Sequence, residues 1–142
     1  MEPIVKRSIW SVVAGVIFVI VVTTVVDVAF HLLEIYPRDQ PLDNSRALVA
    51  TSYRVVIGVI GAYLTASLAP RKPMKHALVL GVVGACLGLI GVAVSWGRNL
   101  GPMWYPIALV VLAIPQSWLG GKLHASYASR ASSGPGAQPS IL

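Results

Sequence analysis

The stretch that decides the fold reads Lys75-His-Ala-Leu-Val-Leu-Gly-Val-Val-Gly-Ala-Cys-Leu-Gly-Leu-Ile-Gly-Val-Ala-Val-Ser-Trp-Gly-Arg98. Between its basic ends, residues 77–97 form a run of 21 residues without a charge. As a helix rising 1.5 Å per residue, this run is about 30 Å long, which matches the hydrocarbon core of a bilayer. The stretch therefore predicts a membrane-spanning helix.

Small residues recur within this stretch at spacings of three and four, so they share one face of the helix. They are Ala77, Gly81, Gly84, Gly88, Gly91 and Ser95. Each glycine weakens a helix in water by roughly 0.5–1 kcal/mol. In lipid no water competes for the backbone, and small residues let two helices approach closely. The face predicts helix packing, either between the protein's own helices or against a partner.

The composition excludes an ordinary soluble domain. The 142 residues are 56% hydrophobic and 11% charged, with a mean hydropathy of +0.74, whereas soluble domains carry about 25% charged residues. The net charge is +6, but the basic residues flank apolar runs and are not interleaved with aromatic ones. That distribution predicts a lipid bilayer as the surrounding partner and no nucleic acid.

Read in order, the chain predicts an all-α, polytopic membrane protein with four transmembrane helices in an up-down bundle. The helices are expected at about 9–30, 45–69, 76–96 and 102–121. They form one domain over residues 1–131, with a basic cytoplasmic lead at 1–8 and a disordered tail at 132–142. The sequence Asp43-Asn44-Ser45 predicts a cap for the second helix.

The distribution of lysine and arginine predicts the orientation. Seven fall on one predicted side of the membrane and four on the other, namely Arg38, Arg46, Arg54 and Arg98. Because the side richer in positive charge is cytoplasmic, we expect both termini in the cytoplasm.

Four ionisable residues form a candidate intramembrane polar cluster. Asp27, His31 and Glu34 are spaced i, i+4 and i+7, so they share a helix face if the first helix extends that far. Arg54 and Asp27 are expected at similar heights, about 24 and 29 Å above the cytoplasmic helix ends. Asp27 is the first candidate partner for Arg54, and Glu34 is the second.

Ionisable groups at membrane depth suggest function, but three interpretations of the cluster stay open. It is a structural ion pair or interfacial anchor, a proton or ion pathway, or a ligand or metal site. Carboxylate and histidine at helical spacing is a weak metal signature, so we assign no metal.

Aromatic residues near the helix ends predict interfacial belts, with a stacking site as the alternative. They are Trp10, Tyr53, Trp96, Trp104, Tyr105 and Trp118. In the fourth helix, Pro115 predicts a kink that frees the carbonyl of Val111. Gln116 and Ser117 are expected to satisfy that backbone, with a polar binding notch as the alternative.

Two segments carry a resemblance to a family. Residues 69–84 and 101–121, with Ala69-Pro-Arg-Lys-Pro-Met-Lys-His and Gly101-Pro-Met-Trp-Tyr-Pro, resemble a group of small, uncharacterised bacterial four-helix membrane proteins. The resemblance covers roughly the last three helices. It implies the four-helix architecture and a multi-pass place in the bacterial inner membrane, and it implies no activity.

Two functions are compatible with these residues. The first is a non-enzymatic accessory or scaffold subunit that packs through the small-residue face, as a homo-oligomer or against another membrane protein. The alternative is a small oligomeric transporter or channel, proton-coupled in one version, that uses Asp27, His31, Glu34 and Arg54. The chain has no nucleophile–base set and no cofactor motif, so we expect no enzymatic activity and no cofactor.

Overall fold

The computed structural model describes residues 2–134, and these fold into four helices. They are α1 (Glu2–Leu32), α2 (Asn44–Leu68), α3 (Pro73–Ser95) and α4 (Trp104–Ser132). Each is long and apolar enough to cross a membrane. The all-helical prediction with four candidate spans is therefore confirmed for this part of the chain. The predicted tail at 132–142 lies outside the described residues, except that Ser132 belongs to α4 and residues 133 and 134 follow it.

The predicted helix bounds are right for α2 to within one residue and wrong for both ends of the chain. α1 begins at Glu2, so the predicted lead is helical from there on, and α4 runs eleven residues past 121. Bilayer thickness limits the length of an apolar run, but a helix can continue beyond that run for as long as its backbone hydrogen bonds form. Pro3 is tolerated in the first turn, and the next glycine after Gly121 is Gly134.

The predicted cap of α2 is confirmed. The Asp43 carboxylate accepts a hydrogen bond from the backbone N–H of Arg46 at 2.8 Å. This bond satisfies one of the amides that the first turn of a helix leaves without a partner. Asp43 therefore fixes where α2 begins after the loop that follows α1.

The helices pack through small side chains. The buried apolar residues are mostly alanines on α2, α3 and α4, including Ala47, Ala62, Ala66, Ala77 and Ala113. The most extensive contacts join α4 to α3 and to α2. α1 packs on α2 and on part of α3, and over residues 2–134 it makes no substantial contact with α4. A space is therefore left between α1 and the α3–α4 pair.

The small-residue face of α3 is used largely within the chain. A Cβ added at Gly81 would lie 3.0 Å from the carbonyl oxygen of Ala113, and one at Gly88 would lie 2.8 Å from Val110. Ala77 and Gly84 face the same helix, whereas a Cβ at Gly91 would meet nothing within 4 Å. Four of the six small residues thus pack on α4, and the outer end of the face stays open.

α4 remains one helix through Pro115. Ser117 is only 2% exposed, beneath Gly81, and the Gln116 side chain lies against Gly58 of α2. Over the described residues, neither side chain bonds to the Val111 carbonyl, so the prediction that they satisfy it is wrong. Both side chains instead pack between helices, Ser117 against Gly81 of α3 and Gln116 against Gly58 of α2.

Candidate functional site

The centre of the candidate site is an ion pair between α1 and α2. The Nη2 of Arg54 lies 2.6 Å from Oδ2 of Asp27, and the Tyr53 hydroxyl donates to the other carboxylate oxygen. The two charged side chains are about equally half-buried, with 28% of Asp27 and 30% of Arg54 exposed. The structure therefore joins the two residues that the sequence proposed as first partners.

Close packing at the other end of the α1–α2 interface sets the register of this pair. The Cα of Gly15 lies against Thr65, and a Cβ at Gly15 would also come within 3.3 Å of the Gly61 carbonyl oxygen. At Gly61, in turn, a Cβ would collide with Val19. Because neither glycine has a side chain, the two helices approach closely enough for Asp27 to reach Arg54.

Aromatic rings surround the ion pair. The Cζ of Arg54 lies 5.8 Å from the centre of the Tyr105 ring, within the range of a cation–π contact. Phe30 meets Tyr53 edge to face, with ring centres 5.4 Å apart. The sequence assigned Tyr53 and Tyr105 to an interfacial belt and missed them as site residues. The position of Tyr53 beside Arg54 was the only hint, and nothing in the sequence pointed to Tyr105.

Of the other two residues of the predicted cluster, His31 lies beside Asp27 as expected, and Glu34 does not. The Nδ1 of His31 donates to the Asp27 carbonyl oxygen at 2.7 Å, so His31 stays on the face of Asp27 and lines the same cavity. α1 ends at Leu32, and Glu34 has a left-handed backbone with φ 56° and an exposed side chain. Glu34 therefore leaves the helical face, and Arg54 pairs with Asp27, the first candidate, and not with Glu34, the second.

Tyr36 anchors the loop between α1 and α2 above the pair. It is 6% exposed, and its hydroxyl donates to the Arg46 carbonyl oxygen at 3.3 Å. Burial raises the pKa of this phenol above its ordinary value of 10.0, so it remains a neutral donor at physiological pH. A second tie joins this loop to the α3–α4 loop, where the Leu42 N–H donates to the Leu100 carbonyl at 3.0 Å.

These loops border an open cavity of about 280 Å³, which we call the vestibule. Its wall is polar, aromatic and rich in arginine. The lining residues are Asp27, His31, Tyr36, Pro37, Arg38, Gln40, Pro41, Leu42, Arg46, Ala50, Tyr53, Arg54, Leu100 and Tyr105.

A second cavity of about 500 Å³ occupies the space between α1 and the α3–α4 pair, and we call it the groove. It is mainly apolar. The lining residues are Val19, Ile20, Thr23, Thr24, Asp27, Arg54, Gly84, Leu87, Gly88, Gly91, Ser95, Tyr105, Pro106, Leu109, Ala113 and Gln116. Asp27, Arg54 and Tyr105 line both cavities. The ion pair therefore stands at the boundary between a polar cavity and an apolar one.

Two of the tryptophans predicted for the interfacial belts are strongly exposed. Trp10 and Trp96 are 66% and 73% exposed, and their place at a membrane interface stays a prediction. Within residues 2–134, no three histidine, cysteine, aspartate or glutamate side chains lie close enough together to hold a metal ion.

No family model, no curated protein and no solved structure matches the chain.

Proposed function

We propose that the four helices form an up-down bundle in the bacterial inner membrane, with both termini in the cytoplasm. The positive-inside distribution supports this orientation. The contacts of Gly15 with Thr65 and of Asp27 with Arg54 support the alternation, because contact positions move backward along α2 as they move forward along α1. Cysteine tags at residues 2 and 140 are expected to react with an impermeant maleimide only in inverted vesicles. Labelling of either tag in intact cells would contradict this topology.

We further propose that the chain is a subunit of a small transporter or channel, in which a proton or a small solute passes the Asp27–Arg54 pair. The observation that carries this proposal is the place of that pair on the wall shared by the vestibule and the groove. An ion pair that served only to join α1 to α2 needs no cavity on either side of it.

The chemistry of the pair suits a controlled passage. A paired carboxylate and guanidinium can stay at membrane depth with little net charge, whereas either group alone is costly there. Protonation of Asp27 would leave Tyr53 and Arg54 without their charged acceptor and would loosen the α1–α2 contact. Four helices enclose little space by themselves, so the groove is expected to be completed by a second copy of the chain.

Proton flux into proteoliposomes loaded with a pH-sensitive dye tests this proposal. Under an imposed potential, the native chain is expected to acidify the lumen faster than protein-free liposomes do, and Asp27→Asn is expected to abolish the difference. Glu34→Gln is the matched control, because it removes an exposed carboxylate that lines neither cavity. Flux equal to that of empty liposomes, or equal losses in both variants, would refute a proton pathway at Asp27.

A second candidate function is a non-enzymatic accessory or scaffold subunit. It is favoured by the open outer end of the small-residue face, where Gly91 has no neighbour within 4 Å of a Cβ and Ser95 lines the groove. A helix of a partner protein could pack closely there. Purification in mild detergent that recovers one stoichiometric partner, which Gly91→Leu releases, would favour this function over transport.

A further inference from the structure

We propose that the vestibule binds a small oxyanion, carrying a carboxylate or phosphate group, through Arg38, Arg46 and Arg54. This deepens the transporter proposal, because it names the class of solute that enters the polar cavity. Binding can nevertheless be measured without transport, so the two proposals can fail separately.

The charge on the wall of the vestibule is the first observation. Three arginines line it against a single carboxylate, that of Asp27, which leaves a formal charge of +2. Asp43 lies 3.7 Å from Arg46 but does not line the cavity. Arg38 is exposed, and within residues 2–134 no carboxylate lies within ion-pair distance of it. The wall is therefore cationic where it meets solvent.

The unfilled hydrogen-bonding capacity of Arg54 is the second observation. A guanidinium carries five N–H donors, and Asp27 engages the Nη2 group. The Nε of Arg54 is buried and has no hydrogen-bond partner among the described residues. A buried donor without an acceptor is unfavourable, and a small side-chain shift that opened Nε to the vestibule would let an oxyanion supply the acceptor.

The volume of the vestibule and the planar shape of its guanidinium groups indicate the ligand class. A volume of about 280 Å³ lies near the lower limit of small-molecule sites, which span about 300–1,000 Å³. Arginine forms paired hydrogen bonds with planar carboxylates and with phosphates. The Tyr36 and Tyr105 rings on the wall add surface for the uncharged part of such a ligand. A small organic acid or phosphate fits, and a drug-sized molecule does not.

The same chemistry could come from solution or from a lipid. The vestibule meets the apolar groove at Asp27, Arg54 and Tyr105, so a phosphate headgroup could occupy the first cavity and its acyl chain the second. The shared feature is the oxyanion, and the experiment below distinguishes its two sources.

Calorimetric titration of the full chain with inorganic phosphate and with benzoate, in neutral detergent, tests the soluble source. Native mass spectrometry of the chain from nanodiscs tests the lipid source, by comparing retention of phosphatidylglycerol with that of phosphatidylcholine. Arg38→Gln is the informative variant, because Arg38 lies in an exposed loop and its loss leaves the helix contacts intact. Arg98→Gln removes an equal charge outside the vestibule and is the matched control.

We expect saturable binding of at least one soluble anion, or selective retention of phosphatidylglycerol, and the arm that responds identifies the source. Arg38→Gln is expected to weaken that binding about tenfold, the factor that one charge-assisted hydrogen bond supplies, and Arg98→Gln to leave it unchanged. The absence of binding in both arms would overturn the proposal, as would equal weakening by the two variants. Proton flux without anion binding would overturn the anion site but not the transport function. Anion binding without any flux would support the anion site and overturn the transport function.

Discussion

Replacing Asp27 by asparagine tests whether the ion pair holds α1 against α2. Removal of one partner from a fully buried pair costs about 3–5 kcal/mol, whereas an exposed pair contributes about 0–1 kcal/mol. Because 28% of Asp27 and 30% of Arg54 is exposed, we expect an intermediate loss of about 2 kcal/mol. Asparagine still accepts from Tyr53, so the loss reports mainly the Arg54 charge left without its partner.

The assay is reversible unfolding by denaturing detergent in mixed micelles, followed by far-ultraviolet circular dichroism. Arg54→Leu in the Asp27→Asn background is expected to recover part of the lost stability, because it removes the cation left without its partner. The coupling energy between the two sites is expected to be about 1–3 kcal/mol. Strictly additive losses would show that the 2.6 Å contact contributes nothing to stability.

Asp43→Asn is the matched control for this cycle. It removes the ion pair with Arg46, a more exposed contact of 3.7 Å, and asparagine caps a helix as well as aspartate does. Its cost is therefore expected to stay within about 0.5 kcal/mol. A loss as large as that of Asp27→Asn would mean that general surface charge, and not the Asp27–Arg54 contact, governs stability.

Four further substitutions, one of them a control, test other parts of the structure in the same unfolding assay. Gly120→Ala is expected to cost about 1–3 kcal/mol, because overpacking strains a close contact and the added Cβ would lie 2.9 Å from the Tyr63 nitrogen. Gly91→Ala is the control and is expected to be neutral or stabilising, because the space around its Cβ is open. Equal effects of the two variants would refute the helix packing described for these glycines. Tyr53→Phe removes a hydrogen bond to a charged acceptor and keeps the ring contact with Phe30, so we expect a loss of about 1–2 kcal/mol. The loss should be smaller when Asp27 is already asparagine, because the acceptor is then uncharged. Trp104→Phe removes the 2.9 Å hydrogen bond from the indole to Asn44 and is expected to cost about 0.5–1 kcal/mol. No change would mean that this tie between the first residues of α2 and α4 is dispensable.

Some features of the site could be predicted because they depend on spacing along a helix. Asp27 and Arg54 follow from counting residues from the helix ends, since a helix converts sequence separation into height at 1.5 Å per residue. The cap at Asp43 follows from its side-chain oxygen at the start of an apolar helix. The prediction that Glu34 shares the face of Asp27 assumed that α1 continues to Glu34. α1 ends at Leu32, and the backbone at Glu34 is left-handed.

The sequence by itself determined four helices that are long and apolar enough to cross a membrane. Four apolar runs of membrane length, with few charges and flanking lysines and arginines, predict helices in lipid, because an unpaired backbone is too costly there. Only the tertiary structure decided which faces meet. It packed Gly81 and Gly88 on α4, brought Tyr105 over Arg54, and left a gap between α1 and α4. These contacts depend on how closely the small residues let particular helices approach, a distance between elements that no periodicity within one element encodes.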